Sequence, residues 1–80
     1  MPGFSKLSIL EVFIEKEDHR LSWQDLSELY NVIHGTERAT LLGNIIRELE
    51  DETIIERLEP LVGWELIDIH KGIEERDRLI

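Results

Sequence analysis

The chain has no cysteine, which excludes a disulfide scaffold and a thiolate-held zinc finger. Its five glycines are isolated. Gly35 and Gly43 are not followed by Gly-Lys, so no phosphate-cradling loop is expected. No apolar run approaches the roughly 20 residues that span a bilayer. Met1-Pro2-Gly3-Phe4 lacks a basic n-region and a long apolar core, so no secretory leader is expected and the expected compartment is cytoplasmic.

Positive charge is also scarce. Nine Lys and Arg stand against eighteen Asp and Glu, for a net charge of −9. The cations Lys6, Lys16, Arg20, Arg38, Arg47, Arg57, Lys71, Arg76 and Arg78 are scattered, with no two adjacent. A protein that holds a duplex unaided needs a basic face to displace condensed counterions. Anionic lipid would repel this chain, so membrane-surface binding is disfavoured. The plain reading of the acidity is solubility. The sharper readings are a surface for a basic partner or a DNA-mimicking inhibitor. The imbalance is uneven. Residues 50–59 hold Glu50, Asp51, Glu52, Glu56 and Glu59 against Arg57, whereas 36–49 balance Glu37 and Glu48 with Arg38 and Arg47.

What is present is ordinary globular material. Hydrophobic residues make up 41%, too many for a charged disordered tail. No repeat, low-complexity segment or linker interrupts the chain, so residues 1–80 read as a single domain. Ser5 to about Glu17 has helical spacing through Leu7, Leu10, Phe13 and Ile14. Ser5 suits its cap, with Ser8 and Glu11 as an alternative capping box. Ser22 and Asp25 form a capping pattern for a second helix lined by Leu26, Leu29 and Tyr30. Asn31 and Gly35 end it. Thr36 caps a third helix running to about Glu52. Its expected core stripe is Leu41, Leu42, Ile45, Ile46 and Leu49.

Beyond Glu52 the period changes. Ile54–Leu58 and Trp64–Ile69 read as two strands around a turn at Pro60–Gly63, a β-hairpin. Gly72 then precedes a short terminal helix from Ile73 to Ile80. It needs docking, because a helix this short is marginal alone.

This order resembles the winged-helix (winged helix-turn-helix) family, in particular PadR-like small regulators. Three places carry the resemblance. Leu26-Ser27-Glu28-Leu29-Tyr30 resembles the second helix of a helix-turn-helix. Ile46 to Arg57 is similar to the end of a recognition helix running into the first wing strand. Trp64 to Gly72 is similar to the second wing strand with a Lys-Gly turn at Lys71-Gly72. The resemblance implies an α+β fold: a three-helix core, a C-terminal β-hairpin wing and a short terminal helix. One departure stands out. Thr53 occupies the place that is usually Gly after the Glu-rich helix end, and a β-branched residue disfavours positive φ.

The resemblance would also place the third helix in a major groove, with Thr40, Asn44 and Arg47 at the duplex. Their chemistry suits it, since Arg pairs with guanine, Asn with adenine, and Thr meets a phosphate or methyl. Arg38 adds a cation, although its angle lies nearer the core side. Charge opposes this reading. Glu37, Glu48 and Asp51 surround Arg47 on the outer face, and the turn from Glu59 to Trp64 has no basic residue. That turn suggests instead an apolar protein interface at Leu61, Val62 and Trp64, for a partner or a homodimer. Trp64 has a competing role as a seal on the core.

His19, His34 and His70 lack metal-ligand spacing. Glu50-Asp51-Glu52 point in different directions on a helix and do not converge on one ion. No nucleophile elbow occurs. The sequence is therefore expected to be a non-enzymatic regulatory module without cofactor, acting through a protein partner or self-association. The alternative is a DNA-binding transcriptional regulator.

Overall fold

A computed structural model of the chain describes residues 5–59 and 63–80. The elements in chain order are α1 (Lys6–Glu15), β1 (Arg20–Ser22), α2 (Trp23–Leu29), α3 (Glu37–Asp51), β2 (Ile55–Leu58), β3 (Gly63–Leu66) and α4 (Ile69–Leu79). The described residues form an α+β fold, with four helices and a three-stranded antiparallel sheet in the order β1-β3-β2.

Local chemistry sets the helix starts. The Ser5 hydroxyl accepts the Ser8 amide and the Ser8 hydroxyl accepts the Ser5 amide, so Ser5 and Ser8, not Ser8 and Glu11, make the capping box. Ser22 and Asp25 reciprocate in the same way at 3.0 Å each. The Thr36 hydroxyl accepts the Ala39 amide.

Two helix ends share one device. After α2, the Val32 amide reaches the Ser27 carbonyl and the Asn31 amide reaches Glu28. After α3, the Ile54 amide reaches the Leu49 carbonyl and the Thr53 amide reaches Glu50. Both are Schellman closures, which need a left-handed residue. Asn31 and Thr53 supply it, with φ of 52° and 58°. Asn tolerates this conformation, while a β-branched residue is strained in it. The helix thus ends where a glycine would suit, with Thr53 holding the place.

The core lies between the helices and the sheet. Ile9, Leu10 and Phe13 of α1, Leu26 of α2, Leu42, Ile46 and Leu49 of α3, and Ile55 and Trp64 of the sheet are buried together. Burial of each such side chain is worth on the order of 2 kcal/mol. Leu41 departs from the expected stripe and is 56% exposed. At about 100° per residue it lies roughly 100° around the helix from the centre of Leu42, Ile46 and Leu49, which face the core.

The sheet also differs from expectation. β1 has no sequence signature, because three residues with one apolar side chain carry no period. It pairs with β3 through Leu21 opposite Trp64, so the hairpin becomes the larger part of a three-stranded sheet. β3 ends at Leu66 rather than Ile69. Asp68 is not a strand residue but the cap of α4, its carboxylate accepting the His70 amide at 2.9 Å. α4 therefore begins at Ile69, and Lys71-Gly72 is helix, not turn. Gly72 sits close to its neighbours: a Cβ there would meet Leu66 Cδ2 at 3.2 Å, a tight contact that the leucine side chain would have to relieve.

Candidate interaction face and its ionic surroundings

The outer face of α3 brings together the residues expected there. Thr40, Asn44 and Arg47 are all exposed, and helical geometry sets them within about 60° of one another. Glu37, Leu41, Glu48 and Asp51 are exposed around them. The face carries three carboxylates and one guanidinium, a net charge of −2.

Arg38 does not join it. Nine residues separate Arg38 from Arg47, which is half a turn at about 100° per residue, so the two point to opposite sides of the helix. The Arg38 guanidinium is half-buried and donates to the Tyr30 carbonyl at 2.7 Å. It ties the first turn of α3 to the end of α2. Arg57, on β2, faces a different environment. Its guanidinium lies 6.0 Å from the centre of the Trp64 ring and 3.7 Å from Glu50 Oε1.

Of the expected protein-interface residues, Leu61 and Val62 lie outside the described residues. Trp64 is 5% exposed and is a core residue rather than an open anchor. Its indole N–H donates to Glu50 Oε1 at 2.8 Å. Its ring meets the Trp23 ring edge-on, with centroids 6.3 Å apart. The physical reason is its register opposite Leu21 and Arg57 in the middle of the sheet. From there the ring reaches α2 and α3.

The remaining cations are engaged by the chain itself. Arg20 meets Glu65 across the β1–β3 pair at 2.7 Å. Lys16 lies 3.7 Å from Asp18, and Arg76 lies 3.4 Å from Asp77. Lys71 donates to the Thr53 hydroxyl.

Lys6 and Arg78 belong to a denser group that sequence reading missed. The Lys6 ammonium contacts Glu52, Glu75 at 3.0 Å and Glu48 at 3.4 Å. Arg78 contacts Glu75 and, at 3.8 Å, Glu52. Glu75 is the one buried charged residue among those described. Burial pushes the Lys6 pKa down. Hydrogen bonds to Glu52 and Glu75, with the charges of Glu52 and Glu48, outweigh it and leave the pKa above the ordinary lysine value. The hydrogen bond from Lys6 pulls the Glu75 pKa below its ordinary value. Burial opposes this, and the charges of Lys6 and Arg78 reinforce it. The group pins α4 to α1 and α3. It borders a cleft of about 460 Å³ lined by Glu52, Ile54, Lys71, Glu74, Glu75 and Arg78. Three carboxylates and two cations line that cleft.

Among the described residues, no three His, Asp or Glu side chains are grouped to hold a metal ion. The His19 ring instead hydrogen-bonds the Phe13 carbonyl at 3.0 Å. No described helix is long and apolar enough to cross a membrane. No family model matches the chain, and neither a curated protein nor a solved structure matches it.

Proposed function

We propose that this chain is a non-enzymatic winged-helix regulatory module that acts through a protein partner or self-association. The helix–strand–helix–helix–strand–strand–helix order and the β1-β3-β2 sheet support the winged-helix reading. One observation carries the functional part: the chain occupies its own cations. Lys6, Lys16, Arg20, Arg57, Arg76 and Arg78 meet carboxylates, Arg38 meets a carbonyl and Lys71 a hydroxyl. Arg47 is left on the outer face of α3 with three carboxylates around it.

Phosphate neutralisation supplies most non-specific duplex affinity, and each phosphate contact needs an available cation. Exposed ion pairs are weak enough to break, but every cation taken from such a pair leaves a carboxylate beside the phosphates. A homodimer does not change the sign. The alternative, major-groove reading by Thr40, Asn44 and Arg47, is favoured by their shared exposed face alone.

The test is an anisotropy titration of a labelled mixed-sequence duplex at physiological salt, beside a light-scattering mass. The expected result is no binding in the micromolar range. Tight, specific duplex binding that Arg47→Ala abolishes would overturn the proposal.

A further inference from the structure

The contacts of α4 differ from those of the other helices. Its buried residues are Gly72 and Glu75, with Ile69 half-buried in its first turn. Gly72 lies against Leu66 and Ile14. Lys71, Glu74, Glu75 and Arg78 share one helical face. They border the cleft of about 460 Å³, whose other lining residues are Glu52 and Ile54, where α3 gives way to β2. The bridges from α4 to that junction are polar. Arg78 lies 3.8 Å from Glu52, and Lys71 donates to the Thr53 hydroxyl.

Release of α4 leaves no member of the ionic group stranded. Lys6, on α1, keeps Glu48 and Glu52 at the end of α3. Glu75 leaves with Arg78, its neighbour one turn along α4. The group thus parts into two halves, each holding both signs. Separating an ion pair into water restores the hydration of both ions, which offsets much of the lost attraction. Exposing apolar surface has no such offset. The point of separation is defined as well. The backbone is bonded to the rest of the fold as far as Ile67, whose amide donates to the Ile54 carbonyl at 3.0 Å. Asp68 then caps α4 through the His70 amide, so the helix carries its own cap when it moves.

We propose that α4 is a releasable strap. It opens after Ile67 as one unit, divides the ionic group between Lys6 and Glu75, and uncovers Leu66 and Ile14 while the other elements stay folded. This goes beyond the protein-partner reading and does not depend on it.

Native-state hydrogen exchange of the full chain in low urea tests the strap. A released helix of 11 residues is marginal alone, so its amides exchange when it opens. Residues 73–78 should share one opening of weak urea dependence. That opening should be at least about ten-fold more frequent than the one exposing Leu42, Ile46 and Leu49, which report global unfolding. Glu75→Gln removes the charge that joins the two halves and should speed exchange in α4 about ten-fold more than in α3. Glu65→Gln breaks the Arg20 pair on the sheet instead and should speed α4 no more than α3. Equal exchange and equal urea dependence in α4 and α3 would make them one cooperative unit and overturn the proposal. So would protection that rises steadily inward from Ile80, the mark of a fraying end, or a Glu75→Gln effect equal in both helices.

Discussion

The ammonium of Lys6 lies 3.0 Å from Glu75 Oε2 and joins the first residue of α1 to the middle of α4. The buried residues of α4 are Gly72 and Glu75. Its apolar contribution to the core is the half-buried Ile69, against three buried apolar side chains in each of α1 and α3, so this helix leans on its ionic contacts more than they do. Lys6→Met should destabilise the fold by about 2 kcal/mol, because it removes one of the two cations that Glu75 and Glu52 contact and leaves Arg78 alone against both carboxylates. Urea unfolding followed by far-ultraviolet circular dichroism measures it. Hydrogen exchange should show α4 losing protection before α3. An unchanged urea midpoint contradicts the assignment.

The same group sets an acid limit. Glu75 titrates below its ordinary value of 4.5 in the folded protein, so in that window the unfolded chain binds more protons. Its stabilisation is complete above pH 4.5 and is lost as pH falls through the lower, folded value. Lys6 is raised above 10.5, so its share is complete below that value and is lost as pH rises through the folded pKa. Urea midpoints across pH should therefore fall at both extremes. In Glu75→Gln the acid fall should be shallower, and a fall as steep as in the parent protein would exclude Glu75 as its source.

Thr53 offers a stabilising change. Its φ of 58° closes the Schellman turn after α3, and left-handed backbone costs an L-residue about 1–2 kcal/mol. Thr53→Gly should raise stability by about 0.5–1 kcal/mol, after the entropy of an added glycine in the unfolded chain and the lost Lys71 contact. Asn should give part of the gain and Val none. A glycine variant less stable than the parent would show that the Lys71–Thr53 contact outweighs the strain.

The parts of this molecule that are legible in the sequence are those that short-range chemistry decides. The Ser5, Ser22 and Thr36 caps and the core positions Leu42, Ile46 and Leu49 follow from spacing alone, as does the shared face of Thr40, Asn44 and Arg47. β1 is hidden because Leu21 is its one apolar residue. The start of α4 is hidden because Gly72 reads as a breaker until it is seen buried inside the helix against Leu66. The ionic group is hidden for a different reason. Lys6, Glu52 and Glu75 are joined by tertiary packing alone, and an acidic chain offers each cation many possible carboxylates. Leu41 reads as core because periodicity gives the width of an apolar stripe but not which edge of it is covered.

Trp64 tests how far the sheet and helices depend on one side chain. Its ring is buried against Trp23, and its N–H is bonded to Glu50. Trp64→Ala removes both and leaves a large void, a loss of about 3–5 kcal/mol. A domain of this size has little more than that in reserve, so the variant should be largely unfolded at 25 °C. Trp64→Phe keeps most of the packing and strands Glu50 Oε1 beside Arg57, 3.7 Å away. It should cost about 1–2 kcal/mol while remaining cooperative in urea. Adding Glu50→Gln to Trp64→Phe then separates the two contributions. If the loss from Trp64→Phe comes from the hydrogen bond, the second substitution adds less in that background than it does alone. Additive losses would assign the whole effect to packing.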